Sequence, residues 1–332
     1  MYVKLRGHIE IVRKSDGKKL SFDAFHSVHI ELDIFKINQS CKIQIPISAR
    51  LEYKDKRVGE SVQTASQFAR GDKISVWLGY NNDMRLEFEG FIYRLNYKTP
   101  LEIECEGYEF QLRRPCETKT WKSTTMKTVL QYLISGTDIV LSDHIPDISF
   151  TKFIIPANMT KLEALQLIKE KYGVTVFFMG KTLYSGLAYV IDRGTVKYKL
   201  GYNTINADDL KYRNADDVSL KIKAVWIKPD NTKVEAEVGD KEGSLRTLFF
   251  YDVSSTAELK KLATEEIKKY KYSGYEGKIK TFLQPFAQPG MKANMTDPKY
   301  DERGGIYYIT KTTVDADKGG GRRIIEISVK LL

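Results

Sequence analysis

The sequence predicts a mainly β protein: two similar small antiparallel β-barrels separated by a small α+β unit. Apolar and polar residues alternate in many short stretches, as in strands with one buried face. Tyr (20) and Phe (15) are abundant, which favours strands. The period turns helical only in a central block and in one later segment. A chain of 332 residues is long enough for two or three domains.

Residues 1–115 read as the first barrel. "HSVHIELDI" (26–34) and "SCKIQIPIS" (40–48) alternate with period two, and "DKISVWLGY" (72–80), "MRLEFEGFIYRLNY" (84–97) and "LEIECEGYEFQL" (101–112) continue the pattern. Asp16-Gly17, Asn81-Asn82-Asp83 and Thr99-Pro100 are turn signals between them. After Pro115 the period changes. "STTMKTVLQYLI" (123–134) puts Met126, Val129, Leu130 and Leu133 at helical spacing, with Ser123 or Thr124 as N-cap. In "TKLEALQLIKEKYG" (160–173), Thr160 and Glu163 form a capping box and Gly173 supplies the stop. A hairpin around Gly180-Lys181 completes the α+β unit, residues 116–190.

Residues 191–332 read as the second barrel. Its strands are expected at 196–203, 218–229, 232–240, 244–253, 277–286, 291–297, 305–317 and 322–332. One helix, 255–271, interrupts them, with Ser255 and Glu258 as capping box and Leu259, Leu262, Ala263, Ile267 and Tyr270 as apolar stripe.

The sequence argues against several function classes. It contains no H-E-x-x-H, G-x-S-x-G or G-x-x-x-x-G-K-[ST] motif, so no catalytic, cofactor-binding or metal residue is assigned. His8, His26, His29 and His144 are the only histidines, and they read as structural. Asp208-Asp209 and Asp216-Asp217, near Asn206 and Asn214, read as turn acids. "RGD" (70–72) reads as a turn into a strand. Cys41, Cys105 and Cys116 lack metal or disulfide spacing and read as buried thiols. No apolar run reaches the roughly 20 residues that span a bilayer, and the N-terminal "MYVKLRGHIEIVRKSDGKK" has no signal-peptide core. The expectation is a protein without a membrane anchor that starts in the cytoplasm. A net charge of +10 permits a polyanion partner, but the lysines are scattered.

One small device occurs twice. "ARGDKISVWLGYNNDMRLEFEGFIYRLNY" and "AQPGMKANMTDPKYDERGGIYYITKTTV" each open on a turn glycine, Gly71 or Gly290. Each continues as strand and polar loop to a second glycine, Gly90 or Gly305, and then an aromatic and β-branched strand ending at a basic residue. A glycine inside a strand marks a bulge or bend, and barrels need such corners. Gly71, Gly90, Gly290 and Gly305 are the structural residues of a duplicated barrel.

With this duplication, the order of "RGDKISVWLGY…FEGFIYRL" (70–95), "TTMKTVLQYLI", "FIIPANMTKLEALQLIKEKYGVTVFFMGKTLY" (153–184), "STAELKKLATEEIKKY" (255–270) and "QPGMKANMTD…GGIYYITKTTVDAD" (288–317) resembles that of the baseplate hub proteins of contractile phage tails. Related groups are the late control protein D family, the hubs of defective Bacillus prophages and the base of the type VI secretion spike. The resemblance implies a structural, non-enzymatic homotrimer whose six barrels form a symmetry adapter between a sixfold tail tube and a threefold spike. It also implies contacts with other baseplate proteins, DNA only in transit through the lumen, and a place in the virion tail or a tailocin after the host cytoplasm. The 116–190 unit resembles small peptidoglycan-binding modules. Two competing readings are a cell-wall-binding or hydrolysing tail protein, and a barrel-type nucleic-acid binder using aromatics such as Tyr307 and Tyr308.

Overall fold

Each barrel strand repeats the same local logic, one side chain inward and the next outward, and the computed structural model shows where those strands go. It describes residues 4–52, 58–205, 207–251 and 253–331. In the first barrel, β1 (Leu5–Val12), β2 (Ser27–Asp33), β3 (Ser40–Ile45), β4 (Lys73–Tyr80), β5 (Asp83–Asn96) and β6 (Leu101–Glu106) lie in the spatial order β1-β4-β5-β6-β3-β2. Their inward residues, among them Ile11, Ile30, Ile43, Ile74 and Ile103, form one core.

The second barrel uses β7 (Thr195–Lys199), β8 (Leu210–Arg213), β9 (Gly274–Thr281), β10 (Lys292–Thr296), β11 (Gly305–Asp317) and β12 (Gly320–Leu331). Their spatial order is β7-β10-β11-β12-β9-β8, the same permutation. The match extends to single hydrogen bonds. The Gly71 N–H donates to the Ile92 carbonyl (2.8 Å), and the Ile92 N–H donates to the Asp72 carbonyl (2.9 Å). Likewise the Gly290 N–H donates to Ile309 (3.0 Å), and the Ile309 N–H donates to Met291 (2.9 Å). A register shift follows Ile92 in β5 and Ile309 in β11, so each strand bulges at the same place. One strand departs: β1 is antiparallel to β4, whereas β7 runs parallel to β10.

This register corrects the glycine alignment. If Ile92 matches Ile309, then Arg94 matches Lys311 and Gly90 matches Tyr307, as their pairing to Ile74 and Ala293 requires. The basic residues are equivalent, but Gly305 sits two positions before the counterpart of Gly90.

A second correction concerns 218–253. Leu220–Ile227, Lys233–Gly239 and Ser244–Phe250 form a separate three-stranded sheet rather than barrel strands. α3 (Thr256–Tyr270) packs on it through Leu259 and Ala263, while Leu262 remains exposed. Alternation marks a strand as half-buried but does not say which sheet it joins. Similarly, 108–112 is a 3-10 turn rather than the end of a strand.

In the central block, α1 (Met126–Ile134) is capped by Thr125, one residue beyond the expected caps. α2 (Lys161–Tyr172) has both halves of its capping box and ends at Gly173 with φ 62°. At α3, the Ser255 hydroxyl accepts from the Glu258 N–H, but the Glu258 carboxylate turns to Ser254 instead of closing the box. The α1–α2 core also takes in Val225 and Ile227 from the separate sheet. No described helix is long and apolar enough to cross a membrane.

Candidate functional site

The two barrels are joined by backbone. Lys311–Asp317 of β11 pairs antiparallel with Ser27–Asp33 of β2, making one sheet of both. β11 therefore serves two cores: Tyr307 and Ile309 lie in the second, Val314 and Ala316 in the first. The β-branched run of "YYITKTTV" suits so long a strand.

The other face of this sheet is polar, and charge sign alternates from strand to strand. Lys278 on β9 lies 3.7 Å from Glu326 on β12. Lys311 on β11 meets Glu31 on β2 at 2.9 Å, and Asp315 meets His29 at 2.6 Å. Lys42 on β3 approaches Glu104 on β6 (3.8 Å), which also receives Arg94 on β5 (3.2 Å). Opposite charges on neighbouring strands stabilise pairing, and like charges there oppose it. These paired charges run across the joint.

Lys36 first and Lys311 second hold the Glu31 carboxyl at about 2. The hydrogen bond that the His29 ring donates to the Asp315 carboxylate raises His29 above its ordinary value. A raised histidine contributes stability below its unfolded pKa of about 6.5 and loses it as pH rises through the folded value. His29 and Asp315 are about half exposed, so the contribution is small, about 0.5 kcal/mol. Thermal melts of His29→Gln should therefore converge on the parent between pH 6 and 8, with the difference largest at pH 6. A difference that grows toward pH 8 would contradict the assignment.

Behind this polar face lies the feature that the sequence reading missed. Arg323 on β12 is fully buried and forks onto Glu87 on β5, with Nη2–Oε1 2.6 Å and Nη1–Oε2 3.1 Å. It also donates to the carbonyls of Ala287 (2.7 Å) and Leu283 (3.1 Å). Those carbonyls belong to the segment between β9 and β10, which crosses to the first barrel. There Leu283 enters the first core and Gln288 donates to the Leu86 carbonyl (3.3 Å). Burial pushes the Glu87 carboxyl above its ordinary value, against the pull of Arg323. The signal was present in "RRIIEISV", where alternation places Arg323 on the face of Ile325 and Ile327.

The glycines fall at different kinds of position. Gly71 (φ 93°) and Gly290 (φ 88°) are left-handed turn residues in equivalent places. Gly90 has no left-handed φ, but a Cβ there would lie 2.1 Å from the Glu106 carbonyl oxygen. Gly305 has φ 148°, and the nearest atoms its Cβ would meet are those of the Lys330 side chain.

The other singled-out residues have local partners. Asp72 of "RGD" is buried, and its carboxylate accepts from the N–H groups of Lys14 and Ala69 (2.8 Å each). Asp217 accepts from the Asn214 amide (3.1 Å), while Asn206 lies outside the described residues. His8 contacts Asp23 at 2.7 Å. Cys41, Cys105 and Cys116 are free and buried. Tyr307 and Tyr308 are buried, which removes these two aromatics from the nucleic-acid reading. Their hydroxyls donate to the Arg303 and Ile191 carbonyls (2.9 Å each).

The architecture has solved counterparts. A 43 kDa tail protein of prophage MuSo2 from Shewanella oneidensis aligns over 98% of this chain and 98% of its own, at 13% identity and TM-score 0.62. A tail protein from Neisseria meningitidis aligns over 97% and 96%, at 14% identity and TM-score 0.61. The chain has the fold of these tail proteins. An Escherichia coli component of the type VI secretion system shares the fold over all of this chain and 77% of its own, at 11% identity and TM-score 0.56. That protein is itself described as similar to the phage T4 tail proteins gp27 and gp5. No family model and no curated protein matches the chain.

Proposed function

We propose that the chain is a structural hub subunit of a contractile tail or tail-like injection particle, working as a homotrimer. Two barrels in each of three chains make a ring of six. One end of that ring meets a sixfold tail tube and the other a threefold spike. The repeated strand order, matched down to the Gly71–Ile92 and Gly290–Ile309 hydrogen bonds, carries this reading. A threefold chain meets a sixfold partner only by presenting equivalent surfaces twice.

The charge-paired face is suited to the channel wall. The charges paired across neighbouring strands are neutralised in place, so at the joint it offers a passing polyanion neither a dense cationic patch nor an apolar one. The role is mechanical and non-catalytic, with the tube protein, spike and other baseplate proteins as partners. After synthesis in the host cytoplasm the subunit resides in the tail. A structure of the assembled particle tests the reading. The expected result is threefold symmetry at this chain, with first and second barrels alternating around a channel. A sixfold or unpaired arrangement would overturn it.

A further inference from the structure

The internal repeat has a joint on one side only. Within a chain, β11 of the second barrel pairs with β2 of the first. Their repeat equivalents are β5 and β8, and neither has the corresponding partner. Beyond Phe91, β5 is paired to β6 on one side, but no described strand continues on the side where β4 begins. Among the described residues β8 pairs with β9 alone.

Two exposed apolar side chains point the same way. Leu283 lies two residues beyond the end of β9 and is buried in the first core, 2% exposed. Its equivalent, Ile47, lies two residues beyond the end of β3 and is 43% exposed. Val314 is 1% exposed because it packs across the joint, while its equivalent Tyr97, one residue beyond the end of β5, is 79% exposed. Single exposed apolar residues need no explanation in general. These two stand at positions whose counterparts are covered by the other barrel.

Resting on the trimeric hub reading, we infer that residues 94–98 of one copy pair antiparallel with 213–209 of the next, and that Ile47 enters the next copy's second barrel. The intrachain register fixes the pairs. Val314 opposite Ile30 becomes Tyr97 opposite Leu210, and Asp315 opposite His29 becomes Lys98 opposite Asp209. The latter keeps opposite signs with polarity reversed. Lys311 opposite Asp33 becomes Arg94 opposite Arg213, a like pair in which each member already holds a carboxylate, Glu104 (3.2 Å) and Glu276 (2.9 Å). The second seam is thus more cationic than the first, and salt should favour it by screening.

The test is disulfide trapping of the full chain, concentrated in high salt, with Tyr97→Cys and Leu210→Cys combined. The native cysteines are buried and do not compete. Mild oxidation should give a covalent ladder ending at three chains. Tyr97→Cys with Lys211→Cys, one residue out of register and on opposite faces, should give none. Ile47→Asp added to the paired variant should cut trapping at least tenfold with an unchanged melting temperature. If a lysine-reactive linker captures trimers but the paired variant does not, this seam is wrong and the hub reading stands. If neither captures trimers, both fall. Trapping at parental yield with Ile47→Asp would overturn the assigned place of that residue.

Discussion

Arg323→Leu should destabilise the protein by about 3–5 kcal/mol, read from guanidinium unfolding. The substitution leaves the buried Glu87 carboxylate without its guanidinium, and the carbonyls of Leu283 and Ala287 without their donor. Each loss falls at the contact between the barrels. Removing the carboxylate as well, in Arg323→Leu with Glu87→Leu, should recover part of the loss, because a buried pair is less costly to delete than to break. Recovery stays partial, since the two carbonyls remain unpaired. A cost below about 1 kcal/mol for the single variant would show that the pair does not hold the barrels together.

Gly90→Val should cost about as much, roughly 3–5 kcal/mol, and more than Gly305→Val, for which about 1–3 kcal/mol is expected. At Gly90 the added Cβ meets backbone, the Glu106 carbonyl on the neighbouring strand, so the sheet itself has to part. At Gly305 it meets the end of a flexible lysine, and the strain comes from φ 148°. Parallel thermal melts decide the point. Equal shifts would mean that strand separation at Gly90 is relieved by a small slide of β6.

The fold class was legible because alternation is a local signal. It identified β2, β4, β5 and β12, and the helical period identified α1, α2 and α3, from their own residues. Which strands share a sheet depends on contacts between distant segments. Leu220–Ile227 alternates as cleanly as Ile279 and its neighbours, yet it belongs to another sheet. The reversed direction of β7 left no trace in composition. The duplication was legible through Gly71 and Gly290, whose turn conformation demands glycine. It was misaligned at Gly305, where a glycine serves another purpose two positions early. Of the candidate site, the charges of β11 and β2 could be read as exposed. Their pairing across 286 residues, His29 with Asp315, could not. Arg323 alone offered a cue, a charge on an apolar face, which implies a buried partner.

The shared strand β11 also sets an order in time. Val28 and Ile30 pack against Val314 and Ala316, so the first barrel's core is closed by residues made long after its own strands. At about 5–20 residues per second, the roughly 280 residues between Ile30 and Val314 take on the order of 15–60 s to synthesise. Throughout that interval the outer edge of β2 is an unpaired template facing water, open to mispairing with any passing strand. The N-terminal barrel, though first to emerge, therefore stays incomplete until β11 has been made. A ribosome that stalls short of β11 releases a chain whose N-terminal barrel is open, however intact its own sequence.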